Sequence, residues 1–295
     1  MSEKLKKPLI VIAIAGASAS GKSKMVYSLR EILNLENTTH FDLDGYHLHN
    51  RNERIRLKEY PDQPQANDFK KIINHLMKLK SGQKVFMQTY DHKKGDFTSP
   101  VKIIPKAILF VEGLHAILLN DISKKQLTDI SIFLYPEEDL RTSWKIFRDT
   151  KERNYDMDDA TRQVHERHKF VQKYVLPQKD QADILILKFK SKNSDEKIRH
   201  EVLISDRYLA KLKEVESSRE FIEKYFNLVP VIDFKNFSNE LHFKRFFYEI
   251  EEKISILGLK KVNFNNIYLS INYSYNEIIE IVSALILIEL IKKLG

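Results

Sequence analysis

Apolar residues fall in short charge-free runs separated by amphipathic stretches, the pattern of a parallel sheet covered by helices. The run Leu9-Ile10-Val11-Ile12-Ala13-Ile14-Ala15 predicts a strand buried on both faces, and 24–33 follows as a helix. Residues 38–44 read as a short strand ending in carboxylates. Apolar positions Phe69, Ile72, Ile73, Leu76 and Leu79 make a helical stripe over 66–79, closed by Ser81-Gly82. Over 84–91, Val85, Met87 and Thr89 share one face and predict a strand. Residues 107–113 and 129–135 predict two more buried strands, the first ending in Glu112-Gly113.

A helix over 137–151 presents Leu140, Trp144 and Phe147 as a core stripe and Arg141, Lys145 and Arg148 as a separate cationic face. A second charged helix follows at 158–173, then strands at 182–187 and 198–204. Alternation of strands and helices predicts an α/β fold with a mostly parallel central sheet. From Asp206 the pattern changes to charged helical stretches, a strand at 266–271 and a helix over 275–294. That helix is apolar nearly all round its middle, so it is buried either in the fold or in a contact between subunits. We therefore expect a main domain over 1–205 and an α/β extension over 206–295, packed on it.

Composition narrows the chemistry. In 295 residues there is no cysteine, which excludes a disulfide scaffold and thiolate metal sites and suits a cytoplasmic location. No charge-free apolar run is long enough to span a membrane. The net charge of +8 lies entirely within 1–205, because from Asp206 onward 13 Lys+Arg are balanced by 13 Asp+Glu. A basic surplus of this kind suits a polyanionic substrate, although it also fits a solvated surface.

The surplus accompanies Gly16-Ala17-Ser18-Ala19-Ser20-Gly21-Lys22-Ser23, which has the phosphate-loop spacing of Gly, four residues, Gly-Lys-Ser. The strand before it and the helix after it supply the context this motif requires. Small residues let successive backbone N–H groups converge on phosphate oxygens, Lys22 can reach the β- and γ-phosphates, and Ser23 can ligate Mg²⁺. Lys4, Lys6 and Lys7 ahead of the apolar run also sketch a secretory signal peptide. Against that, Glu3 interrupts the basic stretch, and cleavage would discard the one Gly-Lys-Ser in the chain.

In open parallel sheets ligands lie beyond the carboxyl ends of the strands. That places Asp44 where it faces the nucleotide, and Glu112 where it either holds Mg²⁺ or caps the following helix. The loop Gly45-Tyr46-His47-Leu48-His49-Asn50-Arg51 is polar and cationic. His47 and His49, like His165 and His168, read as solvated side chains rather than metal ligands.

The stretches GASASGKS, LDGYHLHNR, PQANDF, VEGLHA, WKIFRDTKER and LPQKDQADILI resemble, in order, those of the phosphoribulokinase and uridine kinase family over most of residues 8–190. The resemblance implies a P-loop NTPase three-layer fold and ATP-dependent transfer of the γ-phosphoryl group to a primary alcohol. The acceptor it implies is a small molecule, either a sugar phosphate of the ribulose 5-phosphate type or a nucleoside such as uridine or cytidine. Ala66-Asn67-Asp68-Phe69, Glu112-Gly113-Leu114-His115 and Trp144-Lys145-Ile146-Phe147-Arg148-Asp149 look like the phosphoribulokinase branch. Uridine kinases carry a histidine and an arginine shortly after a Tyr-Asp pair, where this chain holds Gly95 and Phe97.

Carried over residue by residue, the resemblance makes Asp44 the catalytic base, His47 and Arg51 sugar-phosphate contacts, and Glu112 a magnesium carboxylate beside Ser23. Lys145, Arg148 and Arg153 become cations that close over the phosphates, with Lys22 and Arg148 acting in catalysis and Asp149 an acidic partner. Two departures from the family pattern are Gly45, in place of a bulkier residue, and Asn154, in place of a glycine.

Two rival classes are less well supported. Asp42-Leu43-Asp44-Gly45 fits the Asp-x-x-Gly of GTP-binding switches, but the chain has no Asn-Lys-x-Asp. Charge alone suggests nucleic acid, without an aromatic-interleaved basic motif.

Overall fold

A computed structural model describes residues 7–190, 198–213 and 231–232, and beyond them Tyr275, Ile278, Ile279, Val282, Ser283, Leu285, Ile286, Glu289 and Lys293. In chain order the elements are β1 (Ile10–Gly16), α1 (Lys22–Ile32), β2 (Thr38–Asp42), α2 (Arg51–Leu57), α3 (Phe69–Lys80), β3 (Val85–Met87), β4 (Tyr90–Asp91), β5 (Asp96–Phe97) and β6 (Val101–Ile103). They continue with β7 (Ile108–Glu112), α4 (Leu119–Ser123), β8 (Ile130–Pro136), α5 (Glu138–Glu152), α6 (Met157–Phe170), β9 (Ile184–Lys190), β10 (Ile198–Ile204), α7 (Asp206–Lys213) and β11 (Val231–Ile232).

Seven strands form one sheet in the order β11-β10-β9-β8-β1-β7-β2. From β9 to β2 the pairing is parallel; β10 and β11 add an antiparallel edge. β1 is central and buried throughout. Because strand side chains alternate faces, Ile10, Ile12 and Ile14 join one core with α1 residues Met25, Val26 and Leu29, and Val11, Ala13 and Ala15 join another with α3 residues Ile72, Leu76 and Leu79. Sheet and flanking helices thus make the expected three-layer α/β fold. Ile278, Ile279, Val282, Leu285 and Ile286 are helical and sit in the same core as α1. The strand expected at 266–271 lies outside the described residues.

Three expectations are corrected. The strand over 84–91 is two separate strands, β3 pairing with β6 and β4 with β5. Between them the Gln88 carbonyl comes so close to Gly45 that a Cβ there would lie 1.9 Å from it, so only glycine fits after Asp44. The helix expected at 66–79 begins at Phe69, because Pro64–Ala66 form a 3₁₀ turn and the Asp68 carboxylate accepts from Lys71 N at 2.9 Å as N-cap.

The third correction concerns α5, whose buried face is inverted. Leu140 is buried as expected, but so are Arg141, Lys145 and Asp149, while Phe147 is 63% exposed and Trp144 only partly covered. Charged side chains can be buried here because carboxylates on the same helix pair with them.

Candidate functional site

Parallel pairing places Asp42 opposite Glu112 and Ile14 opposite Glu112, so β1, β2 and β7 deliver the phosphate loop and the carboxylates to one edge of the sheet. The loop leaves β1 at Gly16 and enters α1 at Lys22. Ala19 (φ 68°) and Gly21 (φ 93°) are left-handed, and alternation of this kind turns successive N–H groups into an anion-binding concavity. A left-handed alanine is strained by about 1–2 kcal/mol, which the surrounding structure must sustain. Lys22 Nζ donates to Gly16 O at 3.0 Å and Ala17 O at 3.2 Å. Burial lowers its pKa, against the opposing pull of Glu112 and Asp44.

Ser23 Oγ donates to Glu112 Oε1 at 2.6 Å, and His40 Nε2 lies 2.8 Å from Glu112 Oε2. Oxygen donors from Ser23 and Glu112 are therefore adjacent, the kind of partner Mg²⁺ takes. Among the described residues no three His, Cys, Asp or Glu side chains converge on a metal site. A magnesium ion carried on nucleotide phosphates needs only one or two protein ligands, and this pair fits it.

Asp44 sits in a 3₁₀ turn just past β2, with its N–H bonded to Asp42 Oδ1 at 2.9 Å. His92 Nε2 is 3.1 Å from Asp44 Oδ2, and His47 Nε2 is 3.8 Å from Oδ1. Burial pushes the Asp44 carboxyl up, but the His92 hydrogen bond and the charges of His47, His92 and Lys22 hold it well below the ordinary carboxylate range. Asp42 bears the opposite load: burial, Asp44 and Glu112 push it up to about 7. Asp44 is the ionised member of the pair. His47 is itself held by Asn67 Oδ1, 2.9 Å from Nδ1, and burial lowers its pKa. A small pocket lined by Leu43, Asp44, His47, Asn67, Phe69, Leu114 and His115 opens beside this carboxylate.

Across the loop, α5 supplies cations. Arg148 Nη2 donates to Ser18 Oγ at 3.0 Å and to Asp149 Oδ1 at 2.8 Å; Arg141 reaches Ser18 O at 3.5 Å. Lys145 hydrogen-bonds Asp149 Oδ2, and Arg153 Nη1 lies 3.8 Å from Asp149 Oδ1. Asn154, in the left-handed region at φ 60°, turns the chain between α5 and α6 as the family's glycine would, since asparagine tolerates this conformation.

Burial pushes the Asp149 carboxyl up, but Lys145 and Arg148 bring it down to about 2; burial in turn draws Lys145 down to about 8. The two shifts have different causes, and both partners stay charged at pH 7. A depressed carboxylate contributes stability above its ordinary range and loses it as pH falls through about 2. Asp149→Asn is expected to lower unfolding free energy by about 1–3 kcal/mol at pH 7, by leaving Lys145 short of its counter-charge. Denaturant titrations should show that deficit shrinking between about pH 4 and 2. A deficit independent of pH would contradict it.

Arg51 starts α2; its guanidinium donates to His92 O and lies 4.5 Å from the centre of the Tyr155 ring. It is thus attached to the Asp44–His92 side of the site and to the turn after α5. Several neighbours are not singled out by sequence pattern: His92, His40, the Arg54 that donates to Tyr90 OH at 2.7 Å, and Lys188, which donates to Ser20 O at 2.8 Å. For His92 a signal exists, its place immediately after Tyr90-Asp91; for Lys188 there is none, since it lies 168 positions from its partner.

The model of the Phosphoribulokinase / Uridine kinase family matches residues 11–194. The chain belongs to this family. It is 32% identical to a phosphoribulokinase from Synechocystis sp. over 178 residues, 60% of this chain and 53% of that protein. To a uridine kinase from Erwinia tasmaniensis it is 31% identical over 186 residues, 60% of this chain and 86% of the relative. The match thus spans about half the length of the phosphoribulokinases. Among solved structures, phosphoribulokinase from Rhodobacter spheroides superposes with a TM-score of 0.53 at 20% identity, covering 68% of this chain and 81% of that one. That likeness establishes the P-loop kinase fold. Among the described residues no helix is long and apolar enough to cross a membrane.

Proposed function

We infer that the protein is an ATP-dependent kinase that transfers the γ-phosphoryl group to a primary hydroxyl of a sugar phosphate, of the ribulose 5-phosphate type. The observation that carries this reading is the place of Asp44, just past β2 with His92 at 3.1 Å and His47 at 3.8 Å, at the sheet edge that holds a phosphate loop to which α5 presents Arg148, with Lys145 and Arg153 beside it. A sugar hydroxyl contains little alkoxide at neutral pH, so Asp44 orients it and accepts its proton as the bond to phosphorus forms. Lys22 and Arg148 balance the charge spread over the transferring oxygens. Ser23 and Glu112 would hold Mg²⁺, which neutralises the β- and γ-phosphates when bound.

The cations outnumber what ATP needs. Arg51, Lys145 and Arg153 give a second phosphate, on the acceptor, its own charged partners, and His47 adds a hydrogen-bonding imidazole beside them. We read residues 206–295 as an extension of the same unit, a reading supported by the core that Ile278, Val282 and Ile286 share with β1. A second reading, a uridine or cytidine kinase, is favoured by one finding: the match covers 86% of a uridine kinase's length at nearly the same identity.

Arg51→Ala separates these readings. With ribulose 5-phosphate as acceptor it is expected to raise the acceptor KM by about tenfold or more, the scale of one charge-assisted hydrogen bond, and to change the ATP KM little. Equal effects on both KM values, measured by initial rates, would remove Arg51 from the acceptor site.

A further inference from the structure

We propose that Lys188 is a nucleotide-binding residue, a cation brought by β9 to the Ser20–Gly21 turn that, with Lys24, receives the phosphate nearest the nucleoside. This deepens the ATP reading above and rests on it. Lys188 is only 3% exposed, yet among the described residues no carboxylate lies within ion-pair distance of its ammonium. One of its three donors is taken by Ser20 O at 2.8 Å. A buried ammonium with so little compensation is unfavourable in the isolated protein, and a ligand that brings negative charge relieves it.

Its position is specific. A Cβ built on Gly21 would lie 2.7 Å from Lys188 Nζ, so the loop has no side chain where the ammonium passes. Lys24, in the first turn of α1, lies 4.5 Å from the centre of the Tyr275 ring, and Lys188 lies 5.8 Å from the same ring. Two lysines of different elements therefore lie against one aromatic ring beside the helix N-terminus that follows the loop. His200, paired with Lys188 across β9 and β10, is buried with its Nδ1 unpartnered and its ring 6.0 Å from Tyr275. Because Lys22 serves the β- and γ-phosphates, these cations are left for the α-phosphate.

The groups facing the Lys188 ammonium are Lys22 and Lys24 of α1, His200 on β10 and Tyr275, while Glu137 meets this strand through its main chain, donating to Lys188 O at 2.8 Å, and its carboxylate accepts from Lys190 N at 3.1 Å. Burial and the two lysines lower Lys188 to about 8; burial lowers His200 to about 4 and raises Tyr275 to about 12. Above about pH 8, then, Lys188 must take up a proton to bind an anion, and affinity falls.

Lys188→Gln tests this, because glutamine can still donate to Ser20 O but carries no charge. Calorimetric titrations of ATP and ADP, in proteins matched by thermal melting, are expected to show about tenfold or greater weakening of both at pH 7, with adenosine unaffected. The gap between wild type and variant should narrow toward pH 9.5 as the wild type loses its proton. Steps from Lys22 and Lys145 persist in both proteins and cancel in the comparison. Unchanged ATP and ADP affinity at pH 7, a loss confined to ATP, or a loss equally large at pH 9.5 would each overturn the proposal. If the glutamine variant does not fold, Lys24→Gln, at its exposed position beside the same Tyr275 ring, is expected to weaken ATP and ADP together at pH 7 with adenosine unaffected, and unchanged affinity for both nucleotides would overturn the proposal. A wild type that binds neither nucleotide would instead sink the kinase reading itself.

Discussion

Asp44→Asn is expected to keep the fold and the affinity for ATP and to lose about two to four orders of magnitude in turnover. Asparagine has the same shape, and the hydrogen bond that shapes the turn uses only the main-chain N–H of residue 44, donated to the Asp42 carboxylate, so the substitution leaves it in place. What disappears is the charge that His92, His47 and Lys22 stabilise, and with it the ability to accept the hydroxyl's proton. Because Asp44 touches the acceptor and not the nucleotide in this account, the ATP dissociation constant should barely move. Single-turnover rates with melting curves for both proteins would check this. Near-normal turnover in a folded variant would place the base elsewhere.

Lys22→Ala is the second large effect, and its signature differs. Lys22 contacts phosphate in the ground state and the transition state alike, so ATP affinity and turnover should fall together, with kcat/KM for ATP down by about two to three orders of magnitude. Stability should survive, because in the unliganded protein the half-buried ammonium rests on only two loop carbonyls, and partial removal from water already disfavours its charge. Nucleotide titration beside steady-state kinetics separates the two quantities. Unchanged affinity and rate would remove the phosphate-loop reading.

The parts of the molecule legible in the sequence are those governed by local pattern. A charge-free run such as 9–15 has no stable place except a sheet interior, and the loop that follows it carries its own spacing. Asp44 and Glu112 are candidates in the sequence because strand ends point to ligand, and the register brings both to the edge of the sheet that carries the phosphate loop. The α5 helix shows where pattern fails: periodicity assigns its apolar residues inward, yet Arg141, Lys145 and Asp149 are buried and Phe147 is not. Pairs within the helix, Lys145 with Asp149 and Arg141 with Glu138, permit that burial, but the reason this face turns inward is tertiary: Arg141 and Arg148 reach Ser18 of the phosphate loop from 123 and 130 positions away. Lys188 is illegible for the same reason, and the place of His92 immediately after Tyr90-Asp91 marks the residue but not its partner. Each reaches its partner through the sheet or a hairpin, from 48 or 168 positions away, and no local spacing records such a contact.

The most direct test of the central claim is a comparison of acceptors under one set of conditions. With ATP and Mg²⁺ saturating, kcat/KM should be measured for ribulose 5-phosphate, ribose 5-phosphate, uridine and cytidine. Two charge-assisted hydrogen bonds to the acceptor phosphate predict a preference for a sugar phosphate of roughly two orders of magnitude or more over either nucleoside. A higher kcat/KM for uridine or cytidine than for every sugar phosphate would contradict the account.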